Sequence, residues 1–366
     1  MTTLGGVIER LERWYDPAWA EPWDTVGLVS GDPDQPVNAV HLAVDPTEAV
    51  AAEAHAHGAD LLLTHHPLFL GGTTSVARVG AKGRTLARLD ALYVAHTNAD
   101  VADPGVSDAL AHVLGVTGLV PLQPQDERLD RWVVHVPRTH TEAVLDAMAA
   151  AGAGRIGDYE RCAFATAGEG TFTPLPGARP YVGAVGAPER VEEDRLEMVA
   201  DPRRRTAVGA AVRAAHPYEV PSVTVVSAAT PSTRGLGRVG DLTEAIALQD
   251  FCSVVADRLP RTAWGVRASG DPAAPVRRVA VAGGACLDLV DAAAAAGADV
   301  LVTSDAKHHR VQEAPIPVID VAHWAGEWPW VAALADRLRD AFPGLVVSVS
   351  DLVTDPWSVH RAGSMP

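Results

Sequence analysis

The chain repeats one supersecondary unit, and that repeat constrains its fold more than any other feature. Gly58-Ala59-Asp60-Leu61-Leu62-Leu63-Thr64-His65-His66 is echoed by Gly297-Ala298-Asp299-Val300-Leu301-Val302-Thr303-Ser304-Asp305. An Ala-rich helical stretch precedes each copy, at 47–57 and 287–296, and an apolar run precedes each helix, at 40–44 and 279–282. Strand, helix, Gly-Ala-Asp, strand and polar cluster therefore occur twice. Strands apolar throughout are expected in parallel sheets whose faces are both covered by helices. Right-handed crossovers then bring both polar clusters to the carboxyl ends of their strands, where open α/β sheets hold their chemistry. The expectation is an α/β protein with two related lobes, residues 1–126 and 231–366, facing a shared cleft.

The stretch between them, residues 127–230, differs in character. A strand at 132–137 leads to a helix at 140–151 that stops at Gly152-Ala153-Gly154. Strand-like runs follow at 162–165, 170–172, 181–183 and 196–199, then a helix at 205–215. The order β-α-β-β-α-β predicts an inserted ferredoxin-like α+β domain. Segments 121–126 and 228–237 read as its linkers. His216-Pro217-Tyr218-Glu219 reads as a helix-ending turn whose tyrosine packs. Arg203-Arg204-Arg205 reads as solvated surface.

Three strand ends carry nitrogen and oxygen ligands of the kind that hold divalent transition metals. One strand ends in His65-His66-Pro67, one in His96-Thr97-Asn98-Ala99-Asp100, and one in His323 with Glu327 four residues on. That is more than one metal needs, so a dinuclear centre in the cleft is expected. A carboxylate can bridge two cations, whereas an imidazole usually serves one. Asp100 and Glu327 are thus the bridging candidates, and His65, His66 and His323 the terminal ligands. His323 and Glu327 share a face if the turn after their strand is helical, with Pro329 near the start of that helix. Two divalent ions per chain are expected, and Zn, Fe, Mn, Co or Ni all suit the donors. His96 and His309 are the candidate catalytic proton carriers; Asn98 could orient a ligand. Asp305, Lys307 and His309 occupy the second copy's counterpart of His65-His66. Asp45 could support a ligand or cap the helix after Pro46, and the cap is the favoured reading. His55 and His57 read as solvated, and His41 has no partner pattern.

The 30 basic and 46 acidic residues give a net charge of −16. Nucleic acid is therefore disfavoured as a partner, because phosphate binding needs clustered Lys and Arg. Lys occurs only at positions 82 and 307. The three cysteines, Cys162, Cys252 and Cys286, show no zinc-type spacing and read as buried free thiols in a reducing compartment. No signal peptide or bilayer-spanning apolar run is evident. The expected location is cytoplasmic.

Taken together these motifs resemble the Nif-three-like dinuclear-metal family, whose members are known as GTP cyclohydrolase 1 type 2 homologues. The resemblance rests on Trp23-Asp24-Thr25-Val26-Gly27-Leu28, with Thr25 where the family usually has Asn, and on His65-His66-Pro67-Leu68. It also rests on His96 to Asp100, Asp305-Ala306-Lys307-His308-His309, and His323 with Glu327. Gly152 to Tyr159 and His216-Pro217-Tyr218-Glu219 resemble the insert of the longer bacterial members. The resemblance implies a metal pair and a metal-dependent hydrolase of the GTP cyclohydrolase 1 type 2 kind. Such an enzyme would direct water at a purine ring carbon or a phosphoester. It also implies an insert like trimeric nitrogen-regulatory and copper-tolerance folds, and a homohexamer built as a trimer of dimers. The alternative is a non-catalytic metal-binding or regulatory hexameric scaffold.

Overall fold

A computed structural model describes residues 2–361. The first stretch supplies α1 (Leu4–Trp14), β1 (Gly27–Ser30), β2 (Ala39–Ala43), α2 (Glu48–Ala56), β3 (Leu61–Thr64), α3 (Ala81–Leu86), β4 (Leu92–Val94), α4 (Thr97–Asp100), α5 (Val106–Leu114) and β5 (Thr117–Pro124). The middle supplies β6 (Glu127–Pro137), α6 (Thr141–Ala150), β7 (Phe164–Phe172), β8 (Glu189–Ala200), α7 (Arg205–Ala215) and β9 (Ser222–Thr230). The last stretch supplies β10 (Gly235–Ala247), α8 (Leu248–Arg258), β11 (Val266–Ala268), β12 (Pro275–Val281), α9 (Val290–Ala295), β13 (Val300–Ser304), α10 (His308–Gln312), β14 (Val318–Val321), α11 (His323–Ala341) and β15 (Val346–Val349). Two compact units result, one from residues 1–125 and 233–366, the other from 126–232.

The larger unit holds two sheets, ordered β1-β4-β3-β2-β15 and β11-β14-β13-β12-β10-β5. The repeat appears as β2-α2-β3 in the first and β12-α9-β13 in the second, each a parallel pair joined through a helix. β3 (Leu61, Leu62, Leu63, Thr64) is buried throughout, as a central parallel strand covered on both faces should be. The sheets do not follow the expected 1–126 and 231–366 division. β5 pairs with β10 in the second sheet, and β15 pairs with β2 in the first. An edge strand joins whichever sheet offers unpaired backbone groups, and its own sequence does not say which. The helix α11 packs on β2 and β15 of one sheet and β13 of the other. Leu42, Tyr93, Val279, Val302, Trp330 and Leu334 belong to one continuous core reaching both sheets.

At the border of this unit β5 and β10 run antiparallel, with Pro124 opposite Gly235 and the Gln125 N–H donating to the Arg234 carbonyl at 3.0 Å. The expected linkers are therefore largely strand. Arg238 on β10 is 2% exposed. It donates to Asp108 Oδ1 at 2.8 Å and to the Ala102 carbonyl at 2.6 Å, tying β10 to the start of α5.

The smaller unit has one antiparallel sheet, ordered β7-β8-β6-β9, with α6 and α7 on one face. Alternation sets that face: Trp132, Val134 and Val136 of β6 and Leu196 and Met198 of β8 are buried against Val144, Met148, Val208 and Val212. Runs 162–165 and 170–172, read as separate strands, belong largely to β7, and 181–183 forms bends rather than a strand. Arg205, expected to be solvated, reaches the fully buried carboxylate of Asp130, with Nε at 2.7 Å from Oδ2. A buried carboxylate needs such a partner.

Candidate metal centre

The carboxyl ends of β3, β4 and β14 bring five side chains together, all within the larger unit. After β3 the backbone stays paired to β2, the His65 N–H donating to the Ala43 carbonyl at 3.2 Å and the His66 N–H to that of Val44 at 2.8 Å. Their rings lie 5.2 Å apart. The chain after β14 turns directly into α11, so His323 and Glu327 stand one turn apart on one helix face. Glu327 is the hub. Its Oε2 lies 3.0 Å from His66 Nε2, and its Oε1 lies 2.9 Å from His323 Nε2 and 3.5 Å from His65 Nε2. Asp100 Oδ1 lies 3.6 Å from His65 Nε2.

The outer ring nitrogens are all engaged. His65 Nδ1 is 2.9 Å from the Ala95 carbonyl, His66 Nδ1 is 2.7 Å from Asp45 Oδ1, and His323 Nδ1 is 2.5 Å from Asp305 Oδ2. An N–H donated outward fixes the tautomer and turns the Nε2 lone pair inward, the second layer typical of metal-binding histidines. Inward, His65 Nε2, Asp100 Oδ1 and Glu327 Oε2 are buried with no aligned hydrogen-bond partner. Each such group costs about 1–3 kcal/mol if left bare. Gly284 stands beside them at φ +75, and a Cβ there would fall 2.7 Å from Glu327 Oε1 and 3.4 Å from His323 Nε2. The residues present thus fit a metal: convergent electron pairs, locked tautomers and a backbone that leaves the space open.

Burial favours neutral forms here, and the charges oppose it. Burial presses the His65, His66 and His323 pKa values down, but the Glu327 carboxylate more than reverses this, taking His66 well above the usual range and His323 to about 9. Burial lifts Asp100 to about 6. Burial, with the nearby His65, drops His96 to about 4.

His96 faces the same space, its ring 5.2 Å from that of His65 and 5.5 Å from that of His66. His65, His66 and His96 place ligand atoms within 4.8 Å of one another, as do His66, His323 and Glu327. His96 therefore stands with the ligand candidates as well as the proton carriers. Its Nδ1 is 3.0 Å from Asp24 Oδ2, without the alignment of a hydrogen bond. Asp24 also accepts from the Thr97 hydroxyl at 2.7 Å. Asn98 takes the His96 N–H at 2.9 Å and donates to the Tyr15 carbonyl, so it holds backbone rather than a ligand ring.

A cavity of about 820 Å³ opens onto the cluster, lined by His66, His96, Asp100, His323, Glu327 and Cys286 among others. His309 is not in that lining; it sits exposed on α10 with its ring 5.1 Å from that of His308. Lys307 is also exposed. Asp45 does not cap α2: Thr47 Oγ1 accepts from the Val50 N–H at 3.2 Å, which frees Asp45 for His66. His41 is fully buried and lies 2.8 Å from Ser348 Oγ and 3.2 Å from Glu53 Oε2, a pairing that joins β2 to β15 and α2. The three cysteines are free but only half-buried. Asp24 was not among the expected site residues; its only sequence signal is the Trp23-to-Leu28 motif.

Among the described residues no helix is long and apolar enough to cross a membrane. Residues 2–356 match the Duf34/NIF3 (NGG1p interacting factor 3) family. A Mycobacterium leprae protein named GTP cyclohydrolase 1 type 2 homolog is 47% identical over 97% of this chain and 95% of its own. A Bacillus subtilis protein of the same name is 35% identical over 96% of this chain and 97% of its own. Among solved structures, a Bacillus cereus protein related to NIF3 superposes with a TM-score of 0.78 at 34% identity, covering 97% of this chain and 98% of that one. The chain belongs to the Duf34/NIF3 family.

Proposed function

We propose that His65, His66, Asp100, His323 and Glu327 hold two divalent transition-metal ions, and that the chain is a metal-dependent hydrolase of the GTP cyclohydrolase 1 type 2 kind. One observation carries this reading: three buried donor atoms with no aligned hydrogen-bond partner converge on one space while the outer nitrogens of the three imidazoles are fixed by hydrogen bonds. A pair of divalent ions held there would supply Lewis acidity for the attack of water on a purine ring carbon or a phosphoester. The residues around it do the rest. Glu327 and Asp100 supply the carboxylates that can span two cations. Held at a pKa of about 4, His96 is neutral at pH 7. With its Nδ1 turned to Asp24, its Nε2 is left to accept a proton. His309, outside the cavity lining, is given no role. The names of the relatives support the activity.

Charge favours a second reading. Among the described residues lining the cavity, Lys82 is the one Lys or Arg, against the carboxylates of Glu21, Asp45, Glu48, Asp100 and Glu327. A polyanionic nucleotide gains little from such walls, whereas a metal-binding scaffold without turnover needs no cationic wall. The β-α-β-β-α-β order of the smaller unit and its strand order support a ferredoxin-like insert. Assembly into a homohexamer rests on the family resemblance. Three unpaired cysteines support a reducing, cytoplasmic location.

Metal content per chain by plasma mass spectrometry, with turnover of GTP and a generic phosphoester, tests the proposal. About two transition-metal equivalents are expected, lost in a His66→Ala, Glu327→Ala double variant, with turnover abolished by Glu327→Gln. No bound metal even after reconstitution overturns it. Bound metal with metal-dependent assembly but no turnover selects the scaffold.

A further inference from the structure

A second cavity, of about 620 Å³, lies wholly within the smaller unit. Three aromatic rings line it: Phe172, Tyr181 and Tyr218. The Phe172 and Tyr218 ring centres are 5.8 Å apart at 62°, and those of Tyr181 and Tyr218 are 6.3 Å apart at 47°. Glu193, 7% exposed, lines the same cavity. Its Oε1 accepts from the Tyr218 hydroxyl at 2.8 Å, and it forms no ion pair with any described residue. The carboxylate packs against Gly170, where a Cβ would fall 2.2 Å from Oε2. Tyr218 is set in place by the turn after α7. The buried His216 faces the His135 carbonyl with Nε2 at 2.8 Å and accepts the Tyr218 N–H on Nδ1 at 3.1 Å.

The charge of the lining points one way. Of the lining carboxylates Glu169 pairs with Arg190, which leaves Glu193 and Glu219 without an ion-pair partner among the described residues, and the single lining guanidinium is that of Arg195. Arg195 is itself turned to Glu197, at 2.7 Å. A buried carboxylate without a cation is costly unless a ligand brings one, and aromatic faces attract organic cations through their quadrupoles. We infer that this cavity is a binding site for an organic ammonium ion, seated against Glu193 and walled by Phe172, Tyr181 and Tyr218. The cation's charge meets Glu193 Oε2 and its methyl or methylene groups meet the rings. The His-Pro-Tyr-Glu sequence then supplies one ring, Tyr218, and one lining carboxylate, Glu219.

Isothermal titration of the full chain with choline, in a sodium phosphate buffer, tests this. One saturable site per chain is expected. The neutral isostere, in which carbon replaces the nitrogen, should bind at least about tenfold more weakly, as should choline to Glu193→Gln. Tyr181→Leu removes a ring that is more than half exposed, so the fold is kept and binding should weaken. His66→Ala should bind choline as the parent does, which separates this site from the metal centre. The inference is overturned if choline gives no saturable heat, if the isostere binds equally well, or if Glu193→Gln, folded by circular dichroism, binds choline unchanged.

Discussion

At Glu327 burial and charge pull in opposite directions. Burial alone would raise its carboxyl, yet His66, His65 and His323 hold it well below the usual range. The same attraction keeps His66 and His323 protonated in the metal-free site at pH 7, His323 with a pKa of about 9. A metal needs those lone pairs, so its binding must expel protons. Titration with Zn²⁺ in buffers of different ionisation enthalpy should show net proton release at pH 7, with affinity rising toward pH 9; no buffer dependence would contradict it. In the metal-free protein the sign runs the other way: a raised imidazole stabilises the fold below its unfolded pKa of about 6.5, and for His323 that contribution is lost as pH rises through about 9. Asp45 acts one step out. Asp45→Ala leaves His66 Nδ1 without its acceptor and should weaken metal affinity roughly 10- to 100-fold, read by competition with a chromogenic chelator. The five proposed ligands could be read from the sequence because each lies at the end of a recognisable strand or in the turn of helix that follows it. Asp24 could not, since it meets Thr97 across a gap of 73 residues that no local period encodes.

Within the helix α11, one element serves site and core at once. Its first turn carries His323 and Glu327, while Trp330 and Leu334 beyond are fully buried between the sheets. Trp330 Nε1 donates to the Tyr15 hydroxyl at 3.2 Å, and its ring lies 5.2 Å from that of His65. Trp330→Ala should therefore cost about 3–5 kcal/mol in chemical denaturation and loosen the seat of His65 as well. The spacing of His323 and Glu327 foretold the helix, but not its extent: Pro329 sits inside it rather than at its start. Proline at that place removes one helix hydrogen bond, a loss that the buried flanking residues outweigh. In the smaller unit the Gly- and Ala-rich stretch of β7 hid a single strand, because small side chains give little alternation to read.

Across the larger unit, the repeat foretold both β-α-β cores and the ends at which their polar clusters stand. It did not foretell that the sheets exchange strands, with β5 crossing to the second and β15 returning to the first. Neither part of the larger unit can complete its own sheet, so fragments 1–125 and 233–366 expressed separately should be unfolded and regain metal binding only when mixed. Circular dichroism of each fragment and of the pair checks this. The pairing of β5 with β10 carries a different consequence. Pro124 and Gly235 are opposed, so the chain leaves and re-enters the larger unit at one point, as a ring hangs from a clasp. For a flexible excursion from such a point, closure entropy grows only with the logarithm of length, about 0.6 kcal/mol for each doubling. An Asn-Gly turn joining Gln125 to Arg234 would convert the clasp into an ordinary hairpin. That shortened chain should fold and bind as much metal as the parent. The splice point is thus a place where whole modules can be gained, lost or exchanged in descent while the ligands at the strand ends stay in register.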